Sequence, residues 1–298
     1  MCGIVGLFLK TQRHEPELGR LTALMLEQMR ERGPDSAGFA IYGDDKDDRT
    51  KLTVLSEGTD TDWGEVCSEL EVALEGAVTH RMVLDHAILE TELDGTDVRH
   101  WIIKNVPKST VLGSGHAIEL YKAVGDPRLV AERYGLADRT GTHAIAHTRM
   151  ATESAVTTAG SHPFSTGKDS CLVHNGSLSN HNLLREILES KGESFQTEND
   201  TEVAAGYLAW RLREGDTLVE ALERGLDELD GFYTFCIGTR DGFAVVRDPI
   251  ACKPAVMAET DDWVAMSSEY RAIAQLPDVA DAEVWEPEPA RIFAWSRT

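Results

Sequence analysis

Apolar positions fall into short runs and helical stripes along the chain. Ile4-Val5-Gly6-Leu7-Phe8 is a continuous apolar run of strand length, which predicts a buried strand. Over residues 15–32, Leu18, Leu21, Met25 and Met29 stand three or four apart, predicting an amphipathic helix on a sheet that stops at Gly33-Pro34. Residues 32–38 form a loop of turn residues leading into the strand Phe39-Ala40-Ile41-Tyr42. The stretch 43–139 is acidic and its pattern irregular. Asp44, Asp45, Asp47 and Asp48 mark a solvated turn, and residues 65–76 and 126–135 look helical.

The pattern sharpens at Thr142-His143-Ala144-Ile145-Ala146, an apolar strand ending in Arg149-Met150-Ala151-Thr152. A second strand, Ser170-Cys171-Leu172-Val173, runs into His174-Asn175-Gly176, where Asn-Gly ordinarily marks a tight turn. Asn180 then caps a helix whose Leu183, Leu184, Ile187 and Leu188 face inward and which closes at Lys191-Gly192. A second helix opens at residues 197–203, burying Val203, Tyr207 and Leu208, and a third covers residues 217–229. Strands are expected at 232–236, 243–246, 255–258, 263–267 and 291–295. Strands in hairpin-like pairs and helices in groups predict an α+β chain of layered antiparallel sheets rather than a parallel doubly wound one. With no internal repeat or low-complexity linker, one domain over 1–298 is the simplest organisation.

The composition, 42% hydrophobic and 27% charged over 298 residues, suits a soluble globular protein with a sizeable core. The opening apolar run lacks the basic flank and length of a signal peptide, and no run approaches membrane-spanning length, so the expected location is the cytoplasm. A formal charge of −22 argues against nucleic acid or an anionic membrane as partner; a halophilic habit or a basic partner subunit would each account for it. Cys2, Cys67, Cys171, Cys236 and Cys252 are scattered without a C-x-x-C pair, so no metal site is expected. Gly113-Ser114-Gly115 lacks the third glycine of a dinucleotide fingerprint, and no nucleotide site is assigned to it.

The candidate chemistry begins at Cys2. Removal of Met1 would leave one residue carrying both a thiol, titrating near about 8.5, and an α-amine near roughly 8, so nucleophile and base could exchange a proton at neutral pH. Taken alone, a chance cysteine in a first strand is the simpler reading. The same holds for Asp200, since acids at a helix start ordinarily complement its dipole.

Several segments change those odds together: Cys2-Gly3-Ile4-Val5-Gly6, Arg32-Gly33-Pro34-Asp35-Ser36-Ala37-Gly38, His147-Thr148-Arg149-Met150-Ala151-Thr152, His162-Pro163, His174-Asn175-Gly176 and Asp200-Thr201-Glu202. In this order they resemble the class II, N-terminal-nucleophile glutamine amidotransferases, and Arg247-Asp248-Pro249 through Lys253-Pro254 with Ser267-Ser268-Glu269 resembles that domain's closing strands. The resemblance implies a four-layer αββα fold with a family-variable insertion at about 43–139. It also implies that Cys2 attacks the side-chain amide of L-glutamine, giving a γ-glutamyl thioester that water releases as glutamate. Asn175 and Gly176 would form the oxyanion hole, Arg149 would pair with the substrate's α-carboxylate, and Asp200 would receive its α-ammonium group; Thr152 and His162 are the further substrate-binding candidates. Met150 and Glu153 depart from the residues many relatives carry at the pocket's edge.

Residues 115–135 resemble the separate glutaminase-like subunits of glutamate-synthase-like enzymes, N-methylglutamate synthase above all. That likeness implies synthase partner subunits holding flavin mononucleotide (FMN) and iron-sulfur clusters, and no cofactor in this chain. Two other readings remain: a free-standing N-terminal-nucleophile amide hydrolase, and a non-catalytic scaffold or channelling subunit, which retention of Met1 would favour.

Overall fold

A computed structural model describes residues 2–43, 45–56, 61–150 and 156–297. The chain opens with β1 (Gly3–Leu9), α1 (Leu18–Gln28) and β2 (Ser36–Tyr42), followed by β3 (Thr50–Ser56), α2 (Trp63–Leu74), β4 (Val78–Val83), β5 (His86–Thr91), α3 (Gly95–Asn105) and β6 (Ser109–Gly115). Next come β7 (Ile118–Val124), α4 (Pro127–Arg133), β8 (His143–Arg149), β9 (Cys171–Leu178), α5 (His181–Ser190), α6 (Asp200–Arg213) and α7 (Leu218–Glu228). The chain closes with β10 (Gly231–Gly238), β11 (Gly242–Arg247), β12 (Val256–Glu259), β13 (Trp263–Ser267), α8 (Tyr270–Ile273), β14 (Glu283–Trp285) and β15 (Ile292–Ser296).

The main sheet has seven strands in the order β14-β12-β13-β1-β8-β2-β7, and a second has four in the order β15-β11-β10-β9. Pairing is antiparallel, as in β1 against β13 and β8 and in β10 against β9 and β11. Alternation along β1 explains why none of its residues is exposed. Val5, Leu7 and Leu9 pack beneath α1, α4 and α8, while Ile4 and Phe8 face Cys236, Phe243 and Val245 of the second sheet. The far side of that sheet, with Leu172, Phe235, Ile237 and Val246, is covered by α5, α6 and α7. Helices, sheet, sheet and helices thus form the αββα sandwich.

The helix expected over 15–32 is shorter. A 3-10 turn, Gln12–Glu17, holds Pro16, whose missing amide donor disfavours an α-helical interior, and α1 begins after it; a second 3-10 turn covers Arg30–Arg32. On α5, Leu184 and Leu188 are buried as expected, whereas Leu183 and Ile187 lie toward solvent. Asn180 is the residue before α5, but its side chain donates to the Glu228 carbonyl and accepts from Asp230 N instead of capping the helix.

Residues 43–139, irregular by sequence, divide in two. Residues 50–115 build an added layer, a sheet in the order β4-β5-β3-β6 carrying α2 and α3, with its own core around Leu52, Val54, Trp63, Leu70, Leu89, Val98 and Ile102. β7 and α4 belong to the main body, β7 as the edge strand beside β2 and α4 in the core under α1. The added layer docks through Leu55 and Leu112 and through the Thr53 hydroxyl, which accepts from Leu120 N at 3.3 Å.

Candidate active site

β1 and β2 flank β8, and their registers, Gly3 opposite Thr148 and Ser36 opposite Arg149, bring the start of β1 beside the end of β8. Cys2, half-buried, heads β1. Its carbonyl accepts from Arg32 Nε at 3.0 Å and from Asn175 Nδ2 at 3.2 Å. Arg32 is itself buried and donates through Nη1 to Glu269 at 2.6 Å. Two residues further on, Ile4 N donates to Ser268 Oγ at 2.9 Å, while the Ile4 carbonyl accepts from Ser268 N and Ser267 Oγ, both at 3.1 Å. The backbone carrying the thiol is therefore fixed from both sides, and Sγ lies 3.9 Å from the Met150 carbonyl.

The sequence treats residues 32–38 as an ordinary connection, and neither Arg32 nor Glu269 stands out as a site residue. The structure gives them the task of holding Cys2. The available signal was that both lie in the amidotransferase-like segments. Gly33 makes this possible, because a Cβ there would fall 2.5 Å from the Thr148 carbonyl carbon and push the loop off β8.

Asn175 and Gly176 are strand residues of β9, opposite Thr234 and Tyr233, and not a tight turn. Gly176 has φ +153°, and a Cβ on it would lie 2.0 Å from the Phe232 carbonyl oxygen, so this position needs glycine. Asn175 is buried with its amide aimed at Cys2.

Arg149 is buried at the end of β8 and donates through Nη1 to the Gly160 carbonyl at 3.2 Å. The same carbonyl accepts from Asn199 Nδ2 at 3.3 Å, tying the guanidinium to the residue that caps α6. Asn199 does the capping, accepting from Thr201 N at 2.9 Å, so the neighbouring Asp200 is released from it. Asp200 accepts from Leu178 N at 2.9 Å and keeps its side chain 22% exposed. The Arg149 guanidinium and the Asn199 cap of α6 thus share the Gly160 carbonyl, and Cys2 Sγ lies by the carbonyl of the residue that follows Arg149. His162 is buried beneath them, with Nε2 2.7 Å from Thr201 Oγ1. Thr152 lies outside the described residues, as do Met1 and Glu153.

Below Asp200 the site has a floor of imidazoles. His174 Nδ1 is 3.0 Å from Thr201 Oγ1, His147 Nε2 is 3.1 Å from the His174 carbonyl, and the His147 and His162 rings lie 4.0 Å apart. Burial, more than any neighbour, pulls all three pKa values down: His147 to about 3, His162 well below its usual value, and His174 in the same direction. The rings are therefore neutral at pH 7 and supply no cation to the thiol. Among the described residues, one trio could approach a metal ion, His14 with Asp262 and Asp278, at the opposite end of β1. The Arg13 guanidinium already bridges those two carboxylates at 2.7 and 3.1 Å.

Stacked antiparallel sheets between helical layers, with a cysteine at the head of a central strand, define the N-terminal-nucleophile hydrolase fold. The chain belongs to the class II glutamine amidotransferases. It is 53% identical over 300 residues to the glutamine amidotransferase-like protein GlxB of Rhizobium meliloti, covering 99% of this chain and 98% of that one. It is also 34% identical to a putative glutamine amidotransferase of Methanothermobacter thermautotrophicus over 98% of this chain and 99% of the other. A family model described as "Glutamine amidotransferase domain" matches residues 147–275. Among solved structures, glutamine phosphoribosylpyrophosphate amidotransferase of B. subtilis aligns with 99% of this chain at a TM-score of 0.63 and 22% identity, a likeness of fold; the chain spans 47% of that longer protein. No described helix is long and apolar enough to cross a membrane.

Proposed function

We propose that this chain is a glutaminase subunit that hydrolyses L-glutamine to glutamate and ammonia through a thioester on Cys2. The observation that carries the reading is the convergence on Cys2, whose backbone is held by Arg32 and Asn175 and whose sulfur lies beside the Met150 carbonyl, next to Arg149. With Met1 removed, the α-amine takes the thiol proton as Sγ attacks the side-chain carbonyl carbon of glutamine. Asn175 Nδ2 has one hydrogen on the Cys2 carbonyl and offers its second, with the Gly176 N–H, to the oxyanion; one such donor is typically worth about 3 kcal/mol. As the carbon–nitrogen bond breaks, the α-ammonium returns its proton to the departing nitrogen, which leaves as ammonia. Water then attacks the thioester with the α-amine as base, freeing glutamate and restoring the thiol.

Arg149 pairs with the α-carboxylate and Asp200 with the α-ammonium of the free amino acid, a combination that an acyl substrate would leave unpaired at a steep cost. Thr152 and His162 complete the substrate pocket. The ammonia is consumed by separate synthase subunits of a glutamate-synthase-like complex, N-methylglutamate synthase being the best reading, and those subunits hold the FMN and iron-sulfur centres.

Labelling with 6-diazo-5-oxo-norleucine, read by intact mass, tests the glutaminase step. The expected result is a chain lacking Met1 with a single adduct on Cys2, absent from Cys2→Ala. A retained methionine, or no adduct even with partner subunits present, would remove the reading.

A further inference from the structure

Where the added layer meets the main body, a cleft of about 390 Å³ opens between the start of α3, Ser114 of β6, residues 166–170 and the last turns of α6. Arg99, one turn into α3, lines it. The residue is only 7% exposed, and its guanidinium forms no hydrogen bond or ion pair with any described residue; Nη2 is fully enclosed without a partner. The nearest acids are occupied. Glu202 accepts from Gln196 N, Thr197 N and the Thr197 hydroxyl at 2.9, 2.8 and 2.7 Å, and Glu193 pairs with Arg213. Burial is the leading influence on Arg99 and draws its pKa below the ordinary value, as expected for a charge that neighbouring acids offset only in part.

A buried guanidinium carries five donors and no acceptor, so leaving it unpaired is costly unless something else enters the cleft. Thr166 lines the same cleft, and its Oγ1 is also buried without a hydrogen-bond partner. Lys168, exposed at the rim and attracted by the Asp94 carboxylate, adds an ammonium, and Thr50, Ser114 and Ser170 add hydroxyls. The amides opening α3 are not the attraction, because Asp94 Oδ1 already accepts from Thr96 N at 2.8 Å and Asp97 N at 3.4 Å. In a chain of net charge −22, a cleft holding a buried guanidinium and a buried hydroxyl, both without hydrogen-bond partners among the described residues, suits an anion.

We infer that this cleft binds the phosphate group of a small metabolite, Arg99 giving paired N–H donors, Thr166 its hydroxyl and Lys168 a second positive charge. A phosphate offers enough acceptors to satisfy all three at once, and planar paired donation is what arginine does best.

The test is calorimetric titration of the purified full chain with inorganic phosphate at matched ionic strength, with succinate as the carboxylate arm. Saturable phosphate binding is expected in the wild type, roughly tenfold or more weaker in K168A and in Thr166→Val, and lost in R99Q. Phosphate should also raise the wild-type thermal midpoint and leave that of R99Q unmoved. Without phosphate, R99Q should be no less stable than the wild type, since the change removes an unpaired buried charge, and a structural role would predict the opposite. K168A and Thr166→Val decide the matter should R99Q not fold. Absent phosphate binding, equal affinity in K168A and the wild type, or succinate bound in place of phosphate would overturn the assignment. None of these readings depends on glutamine hydrolysis.

Discussion

At Cys2 the side chain that would do the chemistry is the least constrained part of the residue. Its carbonyl takes two hydrogen bonds from distant parts of the chain, and the donor Arg32 is locked by Glu269, so thiol placement depends on a residue outside the reacting set. A hydrogen bond involving a charged group is worth about 1.5–3 kcal/mol. Arg32→Met should therefore leave the fold in place and slow 6-diazo-5-oxo-norleucine labelling of Cys2 roughly tenfold or more. The effect belongs in the maximal labelling rate rather than in the concentration needed for half of it, because Arg32 holds the nucleophile and not the ligand. A maximal rate equal to the wild type would show that Asn175 and the strand pairing suffice.

At the scale of elements, the parts legible in the sequence are those whose period is set by one face against one neighbour. The stripe of α1, the strands β10, β11 and β13, and the helix expected over 217–229, which is α7, all follow from local rules. What escaped is what long-range packing decides. β9 keeps Asn175-Gly176 extended because β10 pairs with it residue by residue, overriding the turn preference of the dipeptide. In the added layer α2 was legible, as the helix expected over 65–76. The rest was not, because α3 buries few residues, Val98, Arg99 and Ile102, and β4 alternates with one face in solvent. The site candidates were legible as residue types in family-like segments, whereas the clamp on Cys2 required the register of β1 against β8. Because the layer's core is separate from the two that enclose β1, its stability and the thiol's chemistry should part company. Leu70→Ala should cost about 2–5 kcal/mol by urea denaturation. It should leave the Cys2 labelling rate within about twofold, since contacts sharing no partners act nearly independently. Loss of labelling in step with loss of stability would mean that the layer supports the site directly.

At the scale of the whole molecule, two electrostatic terms respond to acid in opposite directions. The net charge of −22 repels itself, so protonating surface carboxylates relieves strain on the compact state, and added salt does the same by screening. Against this stand the buried histidines. His143, enclosed with Nε2 2.8 Å from the Thr239 carbonyl, and His147 are both drawn down to about 3 by desolvation, and His162 lies well below its usual value. A folded pKa below the unfolded one means that, under about pH 6.5, the unfolded chain binds protons that the native chain refuses. The stability these rings contribute is therefore complete above pH 6.5 and is lost as pH falls toward 3. Well inside that window each such ring removes about 1.4 kcal/mol per pH unit, and His143 and His147 alone remove about 3. That slope exceeds what dispersed, screened surface repulsion returns over the same interval, so the urea midpoint should fall steadily from pH 6.5 to pH 5. The two terms separate with salt, because screening reaches exposed charges and leaves burial untouched. Sodium chloride should raise the midpoint at pH 7.5 and fail to restore it at pH 5, whereas a midpoint flat from pH 7 to pH 5 would place those imidazoles in contact with water.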